Sequence, residues 1–119
     1  MKYAMLICGD DRQWSALSPT DQQDVMKQVY EWFERWQPTG KIAAGGAQLQ
    51  PRDTAKTVRA GANGQPVITD GPYLELKEVI GGIVMLECDD INEAAQIAAT
   101  WPLAAGVSAL EVRPVMTRE

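Results

Sequence analysis

The apolar positions change period along the chain, and each change marks an element. Lys2 to Cys8 (KYAMLIC) is a short apolar run stopped by Gly9-Asp10-Asp11, which reads as a strand reaching a loop. Arg12 to Leu17 reads as the continuation of that loop. Ser18-Pro19-Thr20-Asp21 then supplies a capping hydroxyl, a proline at the first helical position and an acid at the third. Val25, Val29, Trp32, Phe33 and Trp36 follow at helical spacing, widened by Met26 and Tyr30, so the pattern predicts a helix lying on a core. Pro38 and Gly40 end it, and Lys41 to Leu49 (KIAAGGAQL) returns as a weaker strand. Within that strand Gly45-Gly46 predicts a bulge or a close backbone approach.

Thr54 to Arg59 and Gln65 to Thr69 flank Gly61-Ala62-Asn63-Gly64, whose Asn-Gly pair favours the positive φ angles of a tight hairpin turn. After the Asp70-Gly71-Pro72 break, Tyr73 to Glu78 reads as a charged loop and Val79 to Cys88 as a buried strand. Asp90 and Glu93 stand at capping positions before Ile91, Ala94, Ala95, Ala98 and Trp101, a second helix stopped by Pro102. Ser108 to Val115 closes the chain as a strand. The order strand, helix, strand, hairpin, strand, helix, strand predicts an α+β fold, a ferredoxin-like split βαβ with an inserted β-hairpin, as a single domain over residues 1–119.

Two helices can cover only one face of such a sheet, yet the first strand and the Val79 to Cys88 strand are apolar on both alternating faces. The second face therefore needs a cover. A homodimer packing sheet on sheet, a dimeric α+β barrel, supplies it at the usual inter-sheet distance of about 10 Å; the alternative is a monomer covered by its Arg12 to Leu17 loop or C-terminal tail, segments that hold few apolar residues.

Composition narrows the function classes. The 119 residues are 45% hydrophobic and 23% charged, ordinary for one globular domain. A net charge of -5 disfavours phosphate backbones and anionic lipid, so direct nucleic-acid binding is not expected. No apolar run is long enough to cross a membrane, and the N-terminus turns acidic too soon for a secretory leader, so the chain reads as cytoplasmic. Cys8 and Cys88 lie far apart, without metal or redox spacing, and read as free core thiols. The absence of histidine removes the usual imidazole ligand and His-dependent triads, so no metal is expected. Gly45-Gly46 lacks the surroundings of a P-loop or dinucleotide fingerprint, so no cofactor is expected either.

The segment richest in candidate chemistry is Asp70-Gly71-Pro72-Tyr73-Leu74-Glu75-Leu76-Lys77-Glu78, before Val79-Ile80-Gly81-Gly82. Asp70 before Gly-Pro either caps its own turn or, desolvated beside an apolar cavity, transfers a proton as the candidate catalytic residue. Gly71, Pro72, Tyr73, Glu75, Lys77 and Glu78 are the candidate ligand-binding neighbours, with Lys77 able to orient an anion; a solvated, salt-bridged surface is the alternative for Glu75, Lys77 and Glu78. Arg113, inside an otherwise apolar strand, either pairs with Glu75, Glu78 or Glu111 or anchors a ligand. Trp32, Trp36 and Trp101 read as packing residues, and Trp14 as a candidate lid.

These residues also carry a resemblance. The segment resembles the signature of the YCII-related family, DGPF-domain branch: Asp-Gly-Pro-Phe, a spaced Glu, Lys-Glu and a Gly-rich strand start. Tyr73 replaces the usual Phe, while Glu75, Lys77, Glu78, Gly81 and Gly82 match. The likeness extends through Gly40 to Leu49, Thr57-Val58-Arg59, Asn63-Gly64 and Glu111-Val112-Arg113-Pro114. It implies a dimeric ferredoxin-like fold with a pocket near the signature, and members that accompany extracytoplasmic-function sigma factors. The wider family is associated with a His and Asp pair, whose His has no counterpart in this chain. Three functions follow: a small-molecule binding or sensing protein linked to sigma-factor-dependent transcription, a cofactor-free lyase or isomerase using Asp70, or a protein-interaction module. The first expects its apolar pocket at the sheet interface of the dimer.

Overall fold

In the computed structural model, which describes residues 1–73, 78–104 and 106–117, the chain runs β1 (Lys2–Gly9), α1 (Asp11–Ser15), α2 (Pro19–Trp36), β2 (Ile42–Gln48), β3 (Lys56–Ala60), β4 (Pro66–Asp70), β5 (Val79–Glu87), α3 (Ile91–Ala98) and β6 (Val107–Pro114). The two strands with apolar residues on both faces, β1 and β5, take the centre of a four-stranded antiparallel sheet ordered β2-β5-β1-β6. Each helical crossover, β1-α2-β2 and β5-α3-β6, skips over one strand inserted between its ends, which is the ferredoxin-like arrangement. The β3–β4 hairpin forms a separate two-stranded sheet.

Helix starts are where the capping residues put them. Ser18 Oγ accepts from the Asp21 N–H at 3.1 Å with Pro19 behind it, and Asp90 Oδ1 accepts from the Glu93 N–H at 2.8 Å. One element differs from expectation: Asp11–Ser15, inside a stretch read as loop, is a short helix. Five residues are too few to show an apolar period, and its start is a side-chain cap, the Asp10 carboxylate accepting from the Arg12 N–H at 3.0 Å. The hairpin turn also differs. Gly61 N–H donates to Gln65 at 2.7 Å, and only Gly64, at φ 73°, is left-handed while Asn63 is not. The loop is therefore the wider kind with one glycine in the left-handed position, rather than the tight turn that needs two.

The core is packed at one end of the helix-covered face. Tyr3, Met5, Val84 and Leu86 from the sheet meet Trp32, Ala94, Ile97, Ala98 and Trp101. Trp32 stands edge-on to Phe33 at 5.1 Å and to Trp101 at 4.9 Å. Both the Trp32 and Trp36 indole N–H groups donate to Thr100 Oγ1, at 2.9 and 3.0 Å, and that hydroxyl donates to the Ile97 carbonyl at 2.6 Å. One hydroxyl thus ties α2 to the end of α3. Thr100→Val keeps the shape and removes the acceptor, leaving the buried Trp32 N–H without its partner; urea unfolding followed by circular dichroism is expected to show a loss of about 1–3 kcal/mol.

Among the described residues, no helix lies on the opposite face of the sheet. Its rows run Ala43, Met85, Ala4, Arg113 and Ala47, Ile83, Leu6, Glu111 across the strands. Ala4, Leu6, Ile83 and Met85 are only half-buried. The hairpin is exposed throughout except for half-buried Thr57. One of its faces pairs Val58 with Ile68, 64% and 66% exposed, and Ala60 with Pro66. The radius of gyration, 16.4 Å, accordingly exceeds the roughly 13.5 Å of a compact chain this long. Among the described residues no helix is long and apolar enough to cross a membrane.

Candidate functional site

Strand β2 is built from residues that cannot fill space. Its pairing with β5 jumps from Ala43 opposite Met85 to Ala47 opposite Ile83, so Ala44, Gly45 and Gly46 bulge where Val84 alone faces them. Gly46 lies so close to β5 that a Cβ there would stand 2.6 Å from the Ile83 carbonyl oxygen, which only glycine avoids. Across from this bulge, Val25, Met26 and Val29 on the first half of α2 are half-buried. Val25 and Met26 do not reach the packed core. Small residues on the sheet and medium ones on the helix leave a cavity of about 950 Å³ between the layers.

Ile7, Phe33 and Val84 line the cavity beside Val25, Met26 and Val29, Trp101 stands at the core end, and Gly81 and Gly82 border it at the start of β5. Trp14, on α1, lines it together with Met26 and Tyr30, and the same three side chains line a shallower outer groove along α2. They form the wall between hollow and solvent, a position consistent with the lid expected of Trp14.

A charged latch sits at the rim. The Arg52 backbone N–H and its Nε donate to the Asp11 carboxylate at 2.7 and 2.8 Å, and Nη2 reaches Asp10 at 3.5 Å, while Arg12 Nε donates to Asp10 at 2.9 Å. The hydrogen bond from Arg12 holds the Asp10 carboxyl below its ordinary value. Burial would push Asp11 up, but the hydrogen bonds from Arg52 outweigh it and the net direction is down. A carboxyl lowered in the folded state stabilises fully above its ordinary value of 3.8, and that stability is lost as pH falls through the lowered value. Arg52→Gln is therefore expected to lower the urea midpoint at pH 6, with the gap to the parent closing as pH falls below the ordinary carboxyl value of 3.8. A gap independent of pH would contradict this account of the latch.

The residues expected to form the site are dispersed around this hollow. Asp70 ends β4 with its side chain 88% exposed and paired at 2.5 Å with Lys56 at the root of the hairpin, outside the cavity lining. Gly71, at φ 89°, donates its N–H to the Ala55 carbonyl at 2.7 Å and accepts from Thr57 Oγ1 at 2.8 Å, closing the same root. Pro72 is half-buried and Tyr73 is exposed. Glu75 and Lys77 lie outside the described residues. Glu78 and Arg113 come within electrostatic reach of Cys8, whose thiol is pushed up by burial first and by Glu111 and Glu78 next. Arg113 Nε pairs with Glu111 Oε2 at 2.5 Å on the helix-free face, one of its three expected partners. The cavity itself was not expected on this side of the sheet. Its signal lay in the Ala-Ala-Gly-Gly-Ala and Gly-Gly runs, which announce a bulge but not what stands opposite it.

The YCII-related domain matches residues 1–118. An uncharacterized protein of Rhizobium meliloti (strain 1021) is 31% identical over 116 residues, covering 97% of this chain and 92% of that protein.

Proposed function

The chain belongs to the YCII-related domain family, and from that premise we propose that it is a small-molecule binding or sensing protein that takes its ligand between α2 and the sheet. The observation that carries this reading is the cavity, whose volume of about 950 Å³ lies within the usual range for small-molecule pockets. An apolar wall with a few polar groups at the rim is the common composition of such sites. Within the family we assign the chain to the DGPF branch, with Asp70-Gly71-Pro72-Tyr73 as its signature, acting in the cytoplasm beside sigma-factor-dependent transcription. Continuity of the sequence supports a role for the signature in reporting occupancy, because Val79, Gly81 and Gly82 on the cavity wall follow it within ten residues.

The working unit in this proposal is a homodimer. The helix-free face and the apolar face of the hairpin are both unpartnered in one chain, and an isolated two-stranded hairpin is marginal in water. A second copy covers both under one two-fold operation. The lyase or isomerase alternative would need a desolvated Asp70, whereas its carboxylate is exposed and held by Lys56, so binding is the preferred reading.

The test is a thermal-shift screen of a metabolite library on the parent and on Val25→Trp, which fills the hollow from a position that does not pack on the core. A ligand at a hundred times its Kd adds about 2.7 kcal/mol to the native state. The parent is expected to rise by several degrees with a hit and Val25→Trp by less than one. Equal shifts in the two proteins would contradict the site.

A further inference from the structure

We propose that the hollow selects an uncharged ligand, one with an apolar ring or chain body whose hydroxyl or carbonyl groups meet side-chain amides at the open side. The inference rests on the ligand-binding reading above and goes further by assigning the ligand's chemical class. It starts from the ionisable groups. Among the described residues lining the cavity, the carboxylates are Asp10 and Asp11, and both are already engaged, Asp10 by Arg12 and Arg52 and Asp11 by Arg52. The side chains of Asp10, Asp11 and Arg52 are only 13%, 15% and 11% exposed, so the latch is largely withdrawn from water before any ligand arrives.

An incoming cation would have to compete with two contacts on each carboxylate, Arg12 Nε and Nη2 on Asp10 and the Arg52 backbone N–H and Nε on Asp11. An incoming anion would find the guanidinium groups at the rim already engaged by these same carboxylates, in a chain of net charge -5. Either ion would also lose its hydration against walls made of Ile7, Val25, Val29, Phe33 and Val84. What remains to meet a ligand's polar groups is neutral. Gln37, Gln48 and Gln50 line the open side and are exposed, and their side-chain amides each offer a carbonyl oxygen and two N–H donors.

Two fluorescent dyes with one ring skeleton test this directly. N-phenyl-1-naphthylamine is uncharged, and 8-anilinonaphthalene-1-sulfonate is the same framework with a sulfonate added. Each is titrated into the full chain and into Val25→Trp, and the binding lost in the variant is taken as binding in the hollow; Ala44→Trp, on the exposed edge strand and also lining the cavity, serves if Val25→Trp melts early by circular dichroism. The expected result is saturable binding of the neutral dye, at least tenfold tighter than the sulfonate and at least tenfold weakened by the filling variant. Sulfonate binding as tight as the neutral dye, and equally sensitive to the variant, would overturn the charge assignment while leaving the hollow as a ligand site. Loss of neither dye in the variants would overturn the ligand-binding reading and this inference with it.

Discussion

Replacing Trp32 with alanine is expected to cost about 3–5 kcal/mol, enough to remove most of the stability of a domain this size. Trp32 is 4% exposed and makes three contacts at once. Its ring stands edge-on to Phe33 and to Trp101, and its indole N–H reaches Thr100, so one side chain links the middle of α2 to the end of α3 over β1 and β5. The neighbouring cavity makes the loss worse. A core that already borders about 950 Å³ of open space has no dense layer on that side from which to refill the hole. Urea unfolding monitored by far-ultraviolet circular dichroism measures the change. A loss below about 1 kcal/mol would mean that α2 is held to the sheet by something other than this cluster.

The second large effect concerns assembly. Leu6 sits at the centre of the helix-free face, opposite Ile83 on one side and Glu111 on the other. Leu6→Glu places a carboxylate in the middle of the proposed sheet-to-sheet contact, beside an existing one, and two-fold symmetry does so twice. The expected result is a dimer dissociation constant raised by more than a hundredfold, at least about 2.7 kcal/mol, with the monomer keeping its secondary structure because Leu6 is already half-exposed in the single chain. Analytical ultracentrifugation across a range of concentrations reads it. A parent protein that sediments as a 13.0 kDa species at all concentrations would remove the homodimer from the account.

Much of the fold was legible because its signals are local. Ser18-Pro19 and Asp90 fix where α2 and α3 begin whatever surrounds them, and the apolar runs of β1 and β5 belong to the two strands that have a neighbour on each side in the sheet. Helix α1 escaped because it rests on one carboxylate cap, and the hairpin loop because Asn63-Gly64 admits more than one turn geometry. The hollow was illegible for a different reason. Its existence depends on what faces what across layers: bulging Ala44, Gly45 and Gly46 opposite Val25 and Met26, about twenty residues away in sequence. The Asp70 segment drew attention by its versatile side chains, yet where the carboxylate points is decided by Lys56, its cross-strand neighbour on the hairpin.

The claim on which the rest depends is that the space between α2 and the sheet stays open and apolar in the assembled protein. A crystal structure under xenon pressure tests it most directly, since xenon enters dry apolar cavities and gives strong density there. Xenon density among Val25, Val29, Phe33 and Val84 is the predicted result. The same space filled by side chains of the protein or of a second copy, with no xenon in it, would contradict the account.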